Sequence, residues 1–147
     1  IHKNFSGDKM KTFGDVHRHL IKFQIRPSVQ RTAVMGYLMN HTTHPTVDEI
    51  YVALNPEIPT LSKTTVYNTL NLLVEKGAVQ ILSIDDKNAR YDADTSKHAH
   101  FYCRNCGRVY DIFDVKADMY KLPAIPEFKV DSVEISYYGT CKSCLGH

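Results

Sequence analysis

Residues 62–77 read SKTTVYNTLNLLVEKG, and this stretch predicts one amphipathic helix. Ser62 is a type of residue that caps helix N-termini, and Gly77 can adopt the left-handed conformation that often ends a helix. The apolar residues recur at helical spacing, at Val66, Leu70, Leu73 and Val74. The opposite face carries hydrogen-bonding side chains of suitable length to reach into a groove: Lys63, Thr64, Tyr67, Asn68 and Asn71. The pattern therefore predicts a helix with one buried side and one side open to a polar ligand.

Three shorter helical patterns precede this helix, and a hairpin pattern follows it. The helical patterns run from about Asp15 to Gln24, from Ser28 onward, and from the capping box at residues 46–49. Val79–Ile84 and Arg90–Asp92 flank the polar turn 85–88 and predict a β-hairpin. The last three helices and the hairpin describe a winged helix-turn-helix, in which helix 62–76 would enter the major groove of DNA. A small helical domain without a DNA role is the alternative.

The charge distribution also favours DNA, although the formal net charge is only +2. Six basic residues face one acid, Asp15, between positions 9 and 31: Lys9, Lys11, Arg18, Lys22, Arg26 and Arg31. This local excess could attract phosphates, so Arg18 and Lys22 on the first helix are predicted DNA contacts. A solvated helix face is the alternative. No apolar run approaches the roughly 20 residues that cross a bilayer, and no signal pattern opens the chain, so we expect a cytoplasmic protein without membrane contact.

All four cysteines lie in the last 45 residues, as two C-x2-C pairs: Cys103, Cys106, Cys141 and Cys144. Each pair offers two thiolates from one tight turn, and two pairs together form a tetrahedral S4 site that suits structural Zn(II). A redox pair or free buried cysteines are the alternatives.

The residues around the cysteines predict a small α/β domain. Strands are predicted at His98–Cys103, Val109–Phe113 and Ser132–Tyr138, with a short helix at Asp114–Lys121. Because so few strands can form only a small hydrophobic core, this domain should need both its metal and a partner subunit for stability. We predict an α+β chain with a flexible arm (1–10), a winged-helix DNA-binding domain (11–84), a hinge (85–92) and a zinc-stabilised dimerisation and metal-sensing domain (93–147).

A second group of possible metal ligands mixes histidine with aspartate: His44, Asp92, His98, His100 and Asp111. His98 and His100 are two apart on a predicted strand, so both imidazoles should project from one face. Three imidazoles and two carboxylates suit Fe(II), Mn(II) or Zn(II). Taken singly, the histidines could be surface residues and the aspartates turn residues. A metal held by all five would fix one domain relative to the other and so couple metal binding to DNA binding.

Five segments together resemble the ferric uptake regulator family. They are RTAV (31–34), HPTVDEIY (44–51), SKTTVYNTL (62–70), RYD (90–92) and HAHFYCRNCG (98–107). The resemblance implies a homodimer that binds operator DNA, with Tyr67 reaching a base edge. It also implies structural zinc on the four cysteines and a regulatory metal on the five histidine and aspartate residues.

Within the family, the chain looks most like the peroxide-responsive branch. Both carboxylate positions are aspartate, Lys97 and Ala99 are unsuited to a further metal site, and asparagine follows Tyr67. The resemblance then implies a repressor in which bound Fe(II) reduces hydrogen peroxide and a ligand, His44 or His98, is oxidised. With Mn(II) the protein should repress but ignore peroxide. The alternative is a reversible Fe(II) sensor.

Two further interpretations compete with metal-controlled repression. Two histidines and a carboxylate also resemble the ligands of non-heme iron oxygenases. That role needs a substrate pocket and leaves the helical half without a purpose, so we do not expect an enzyme, whether oxygenase or zinc hydrolase. The other interpretation is a DNA reader without metal control, joined to a zinc-stabilised dimeriser.

Overall fold

The computed structural model describes residues 10–113 and 121–146, and they divide into two compact units. The first unit ends at Thr95, and the second begins at Ser96. The arm expected at residues 1–10 lies outside the described residues except for Met10. The helix expected at residues 114–121 lies outside them except for Lys121.

Four helices build the first unit. They are α1 (Phe13–Lys22), α2 (Val29–Asn40), α3 (Val47–Leu54) and α4 (Lys63–Glu75). Each is preceded by Thr or Ser, whose side chain accepts a hydrogen bond from the amide three residues ahead. Helix α1 begins two residues before the predicted start, because Thr12 and Asp15 form a reciprocal capping box there.

A hairpin follows the helices, as predicted. Gly77 has a φ of 82° and ends α4, after which β1 (Gln80–Leu82) pairs antiparallel with β2 (Arg90–Asp92). The hairpin and helices share one core that includes Leu20, Met35, Leu38, Ile50, Val66, Leu70, Leu73 and Tyr91. This core leaves the polar face of α4 exposed.

The second unit is a three-stranded sheet with a short helix. It comprises β3 (Ala99–Cys103), β4 (Val109–Ile112), β5 (Ser136–Gly139) and α5 (Lys142–Leu145). The strand order is β4-β3-β5, with β4 antiparallel and β5 parallel to β3. The two units together confirm the predicted α+β class.

Strand β5 is shorter than the predicted Ser132–Tyr138. It begins only at Ser136, which lies opposite His100 near the start of β3. The alternating pattern continues towards Ser132, but the pairing with β3 begins at His100 and Ser136 and does not include Ala99, the first residue of β3. The extent of this pairing therefore sets where β5 begins.

The described part of the second unit buries few apolar side chains. These are Ala99, Cys103, Val109 and Cys141, two of which are predicted zinc ligands. No helix in the described ranges combines the length and apolar character needed to span a bilayer.

Candidate metal centres and DNA-binding surface

The sheet of the second unit brings all four cysteines together. Cys103 ends β3 opposite Gly139 of β5, and this register places Cys141, two residues after Gly139, beside it. Cys106 follows in the turn after β3, and Cys144 lies in the short helix α5. The four sulfur atoms lie within 4.8 Å of one another.

The spacing of the sulfur atoms suits zinc. Zn–S bonds of about 2.3 Å in a tetrahedron place the sulfur atoms about 3.8 Å apart. The Sγ atoms of Cys106 and Cys141 are 3.9 Å apart. The cysteines therefore fit a closed S4 zinc site, with no ligand position left for other chemistry.

The same turns change the acidity of the thiols. Backbone hydrogen bonds from Cys106 and then from Cys141 lower the pKa of Cys103 to about 6. The Tyr110 hydroxyl is the main group that lowers the pKa of Cys141. Asn105 lowers the pKa of Cys144, but the neighbouring Cys141 thiol and burial outweigh it and raise that pKa to about 11. Since only thiolates bind zinc, metal binding must release protons here.

A second cluster in this unit joins both strand histidines to Asp111. His100 lies opposite Asp111 in the antiparallel pairing of β3 with β4. The Nε2 atoms of His98 and His100 lie 3.0 and 3.3 Å from the same oxygen, Asp111 Oδ1. Adjacent octahedral ligands about 2.1 Å from a metal are about 3.0 Å apart, so these three side chains fit ligands on one metal. The expectation that both imidazoles project from one face agrees with this geometry.

The imidazole of His98 is held in a fixed orientation. Its Nδ1 lies 2.7 Å from the backbone carbonyl of Ser96, and the Phe113 ring stacks against it at 4.7 Å. A carbonyl only accepts hydrogen bonds, so Nδ1 donates to it and the other ring nitrogen, Nε2, faces Asp111. Metal-binding histidines typically have such a partner.

The first unit contributes a separate histidine–aspartate pair. His44 is buried, and its Nε2 lies 3.4 Å from Asp92 Oδ2. Asp92 Oδ1 accepts a hydrogen bond from the Asp94 amide at 2.9 Å, which orients the other oxygen towards His44. The five predicted ligands thus occur as a pair in one unit and a trio in the other.

The predicted DNA contacts lie on exposed surface of the first unit. The five polar residues of α4 are exposed, and Tyr67 is 51% accessible although it is large and aromatic. Lys63 Nζ lies 3.3 Å from Asp48 and 5.7 Å from the centre of the Tyr51 ring. Arg18 and Lys22 are exposed on α1, where Arg18 pairs with Asp15. Helix α4 therefore presents a polar aromatic face that can read base edges.

Sequence reasoning missed an ion pair next to the candidate metal ligand His44. Asp85 and Arg90 were assigned only to the hairpin, but they form a largely buried ion pair, with Arg90 also donating to the His44 carbonyl. Their positions at the two ends of one turn could have suggested the pair. Nothing local could have revealed the contact with a residue 46 positions away.

Comparison with known proteins places these features in one family. Residues 22–138 match the model of the ferric uptake regulator family. The peroxide-responsive repressor PerR of Staphylococcus epidermidis is 37% identical over 85% of each chain. The peroxide operon regulator of Bacillus subtilis is 38% identical over 82% of this chain and 84% of its own. The crystal structure of a Campylobacter jejuni peroxide stress regulator superposes with a TM-score of 0.62 at 28% identity, over 92% of this chain and 100% of its own. The chain therefore belongs to the ferric uptake regulator family.

Proposed function

We propose that the protein is a metal-dependent transcriptional repressor that binds operator DNA as a homodimer and responds to hydrogen peroxide. Support comes from membership of the family and from two relatives named for peroxide responses, each at least 37% identical. The exposed polar face of α4 supplies the DNA-reading surface, and the four cysteines supply a structural zinc site.

The observation that carries this proposal is the occurrence of histidine–aspartate ligands in both units. His44 and Asp92 lie in the first unit, while His98, His100 and Asp111 lie in the second. In our proposal one Fe(II) or Mn(II) ion takes all five and fixes the units relative to each other. In a dimer this fixes the separation of two recognition helices, which must match the spacing of DNA half-sites. Metal and DNA then strengthen each other's binding by linkage.

The peroxide response follows from the chemistry of the ligands. Bound Fe(II) supplies the one-electron chemistry that activates peroxide, which Mn(II) does not readily do. Overall, peroxide transfers one oxygen atom to an imidazole carbon of His44 or His98, a C–H bond becomes C–O, and the rest leaves as water. Peroxide gains two electrons and the imidazole loses them. The Ser96 carbonyl holds the His98 ring with Nε2 directed at Asp111, so the ring would stay beside a metal bound there. The altered ring binds metal poorly, so DNA is released.

The DNA-binding part of the proposal is tested by replacing Tyr67 with alanine. A DNA sequence is first selected from random duplexes with the Mn(II)-loaded protein, and dissociation constants are then measured by fluorescence anisotropy. We expect Tyr67→Ala to weaken binding by about 5- to 160-fold, because one base-edge contact contributes about 1–3 kcal/mol.

The control is Val52→Ala, which truncates an exposed side chain on α3 rather than on α4. Its affinity should equal that of the original protein. Equal affinities for the Tyr67 variant and the original protein would show that α4 does not read DNA as proposed. If the protein still bound DNA with the same affinity after Mn(II) was removed by a chelator, metal control would be contradicted.

A further inference from the structure

A continuous hydrogen-bond chain links the candidate metal ligand His44 to the turn of the hairpin. Arg90 donates from Nε and Nη2 to Asp85 Oδ2, at 3.1 and 3.0 Å. Its third group, Nη1, donates to the backbone carbonyl of His44 at 3.3 Å. The other oxygen of Asp85 accepts from the Lys87 amide at 3.0 Å. All four residues belong to the first unit.

The arginine–aspartate pair is built into the unit rather than lying on its surface. The side chains of Arg90 and Asp85 are only 13% and 7% exposed. Removing two charges from water is costly unless their hydrogen bonds are satisfied, and here they are directed to fixed partners. The Lys87 amide and the Arg90 guanidinium both lower the pKa of Asp85, so its charge is retained. The planar guanidinium can serve two acceptors in fixed directions, which a lysine ammonium cannot reproduce.

The backbone that Arg90 contacts needs support. His44 has a φ of 55°, a left-handed conformation that a side chain with a Cβ rarely adopts unless its surroundings hold it. The next carbonyl, that of Pro45, accepts from the Tyr91 amide at 3.1 Å. Strand β2 therefore holds the carbonyls of His44 and Pro45, the first through the Arg90 side chain and the second through the Tyr91 backbone amide.

We propose that Arg90 is a positioning residue for His44 and that, through Asp85, it couples metal binding at His44 to the order of the hairpin turn at residues 83–89. The inference rests on the proposed role of His44 in the regulatory metal site. The turn carries the exposed Lys87, whose backbone amide is the last group in this series of hydrogen bonds. Metal binding at His44 restrains the carbonyl, the guanidinium and the turn together. By reciprocity, a turn held against DNA favours the metal-binding position of His44.

Replacing Arg90 with lysine tests the inference, because lysine keeps the charge but cannot bridge Asp85 and His44. Affinity for Mn(II) is measured from the free-ion signal in electron paramagnetic resonance. We expect it to fall about 10- to 100-fold, the usual effect of losing a residue that orients a metal ligand. The spectrum of the bound Mn(II) should also change, which a purely structural loss would not cause. Asp85→Asn should weaken Mn(II) binding too, and the double variant should lose less than the sum of the two effects.

The matched control is Arg31→Lys, since Arg31 also donates from Nη1 to a backbone carbonyl, that of Arg26, in the same unit. It should leave Mn(II) binding unchanged. Unfolding by urea, followed by circular dichroism, shows whether each variant is folded. If the original protein binds Mn(II) and folded Arg90→Lys binds it equally well with the same spectrum, the positioning role is wrong and the proposed function stands. If the original protein binds no Mn(II), the proposed function itself fails.

Discussion

Replacing Cys103 with serine is expected to abolish zinc binding and to unfold the second unit. The described part of this unit buries only four apolar residues, and Cys103 and Cys141 are two of them. Structural zinc contributes about 10–16 kcal/mol in zinc-finger peptides, which is comparable to the total stability of about 5–15 kcal/mol of an ordinary domain. The four buried apolar residues in the described part of this unit are too few to replace a contribution of that size.

The effect of Cys103→Ser is measured as zinc content after gel filtration and as amide hydrogen exchange in residues 96–113 and 121–146. We expect zinc to fall from one per chain to none and protection in this unit to disappear, while α2 and α4 of the first unit stay protected. His98→Ala serves as the control, because His98 is not part of the cysteine cluster, and it should retain zinc. Full protection of the zinc-free variant would show that the unit is stable without metal.

Replacing His98 with alanine is expected to abolish the response of DNA binding to metal. The imidazole Nε2 lies 3.0 Å from Asp111 Oδ1, and the Ser96 carbonyl fixes its direction. Loss of a residue that only orients a ligand weakens metal binding about 10- to 100-fold, so loss of the ligand itself should cost at least about 100-fold. At micromolar Mn(II) the variant should bind the selected DNA as weakly as the metal-free protein does.

Mn(II) titrations of DNA affinity measure this effect. The control is His17→Ala, which removes an exposed imidazole from α1 and should leave Mn(II) affinity unchanged. If His98→Ala kept the original dependence on Mn(II), His98 would not be a ligand. The protein would then correspond to a DNA reader whose C-terminal half only dimerises.

Local patterns predicted most of the fold. Helix α4 was predicted almost to the residue, because Ser62 and Gly77 mark its ends and its apolar spacing lies within one segment. The start of α1 was predicted two residues late, because the capping box of Thr12 and Asp15 at its N-terminus was not recognised. Strand β5 was predicted too long because its first residue depends on where pairing with β3 begins, and β3 lies more than 30 residues away in sequence.

The parts of the candidate sites that depend on local sequence were likewise predicted, and those that depend on distant contacts were not. Each C-x2-C pair is a local motif, and the His98–His100 spacing follows from the period of a strand, so both could be read from sequence. The Ser96 carbonyl behind His98 and the Arg90 contact with His44 are backbone interactions. Any residue type offers a carbonyl, so no sequence pattern marks such partners. The orienting shell around the ligands therefore required the structure.

A mass measurement on the ligand histidines tests the central claim most directly. The zinc-loaded protein receives Fe(II) without oxygen, is treated with stoichiometric hydrogen peroxide, and is digested for mass spectrometry, with an Mn(II) sample in parallel. The account predicts a gain of about 16 daltons, one oxygen atom, in peptides containing His44 or His98 with Fe(II) only, together with release of DNA. Unmodified histidines in a protein that still binds DNA in a metal-dependent manner would contradict peroxide sensing and indicate a reversible Fe(II) sensor.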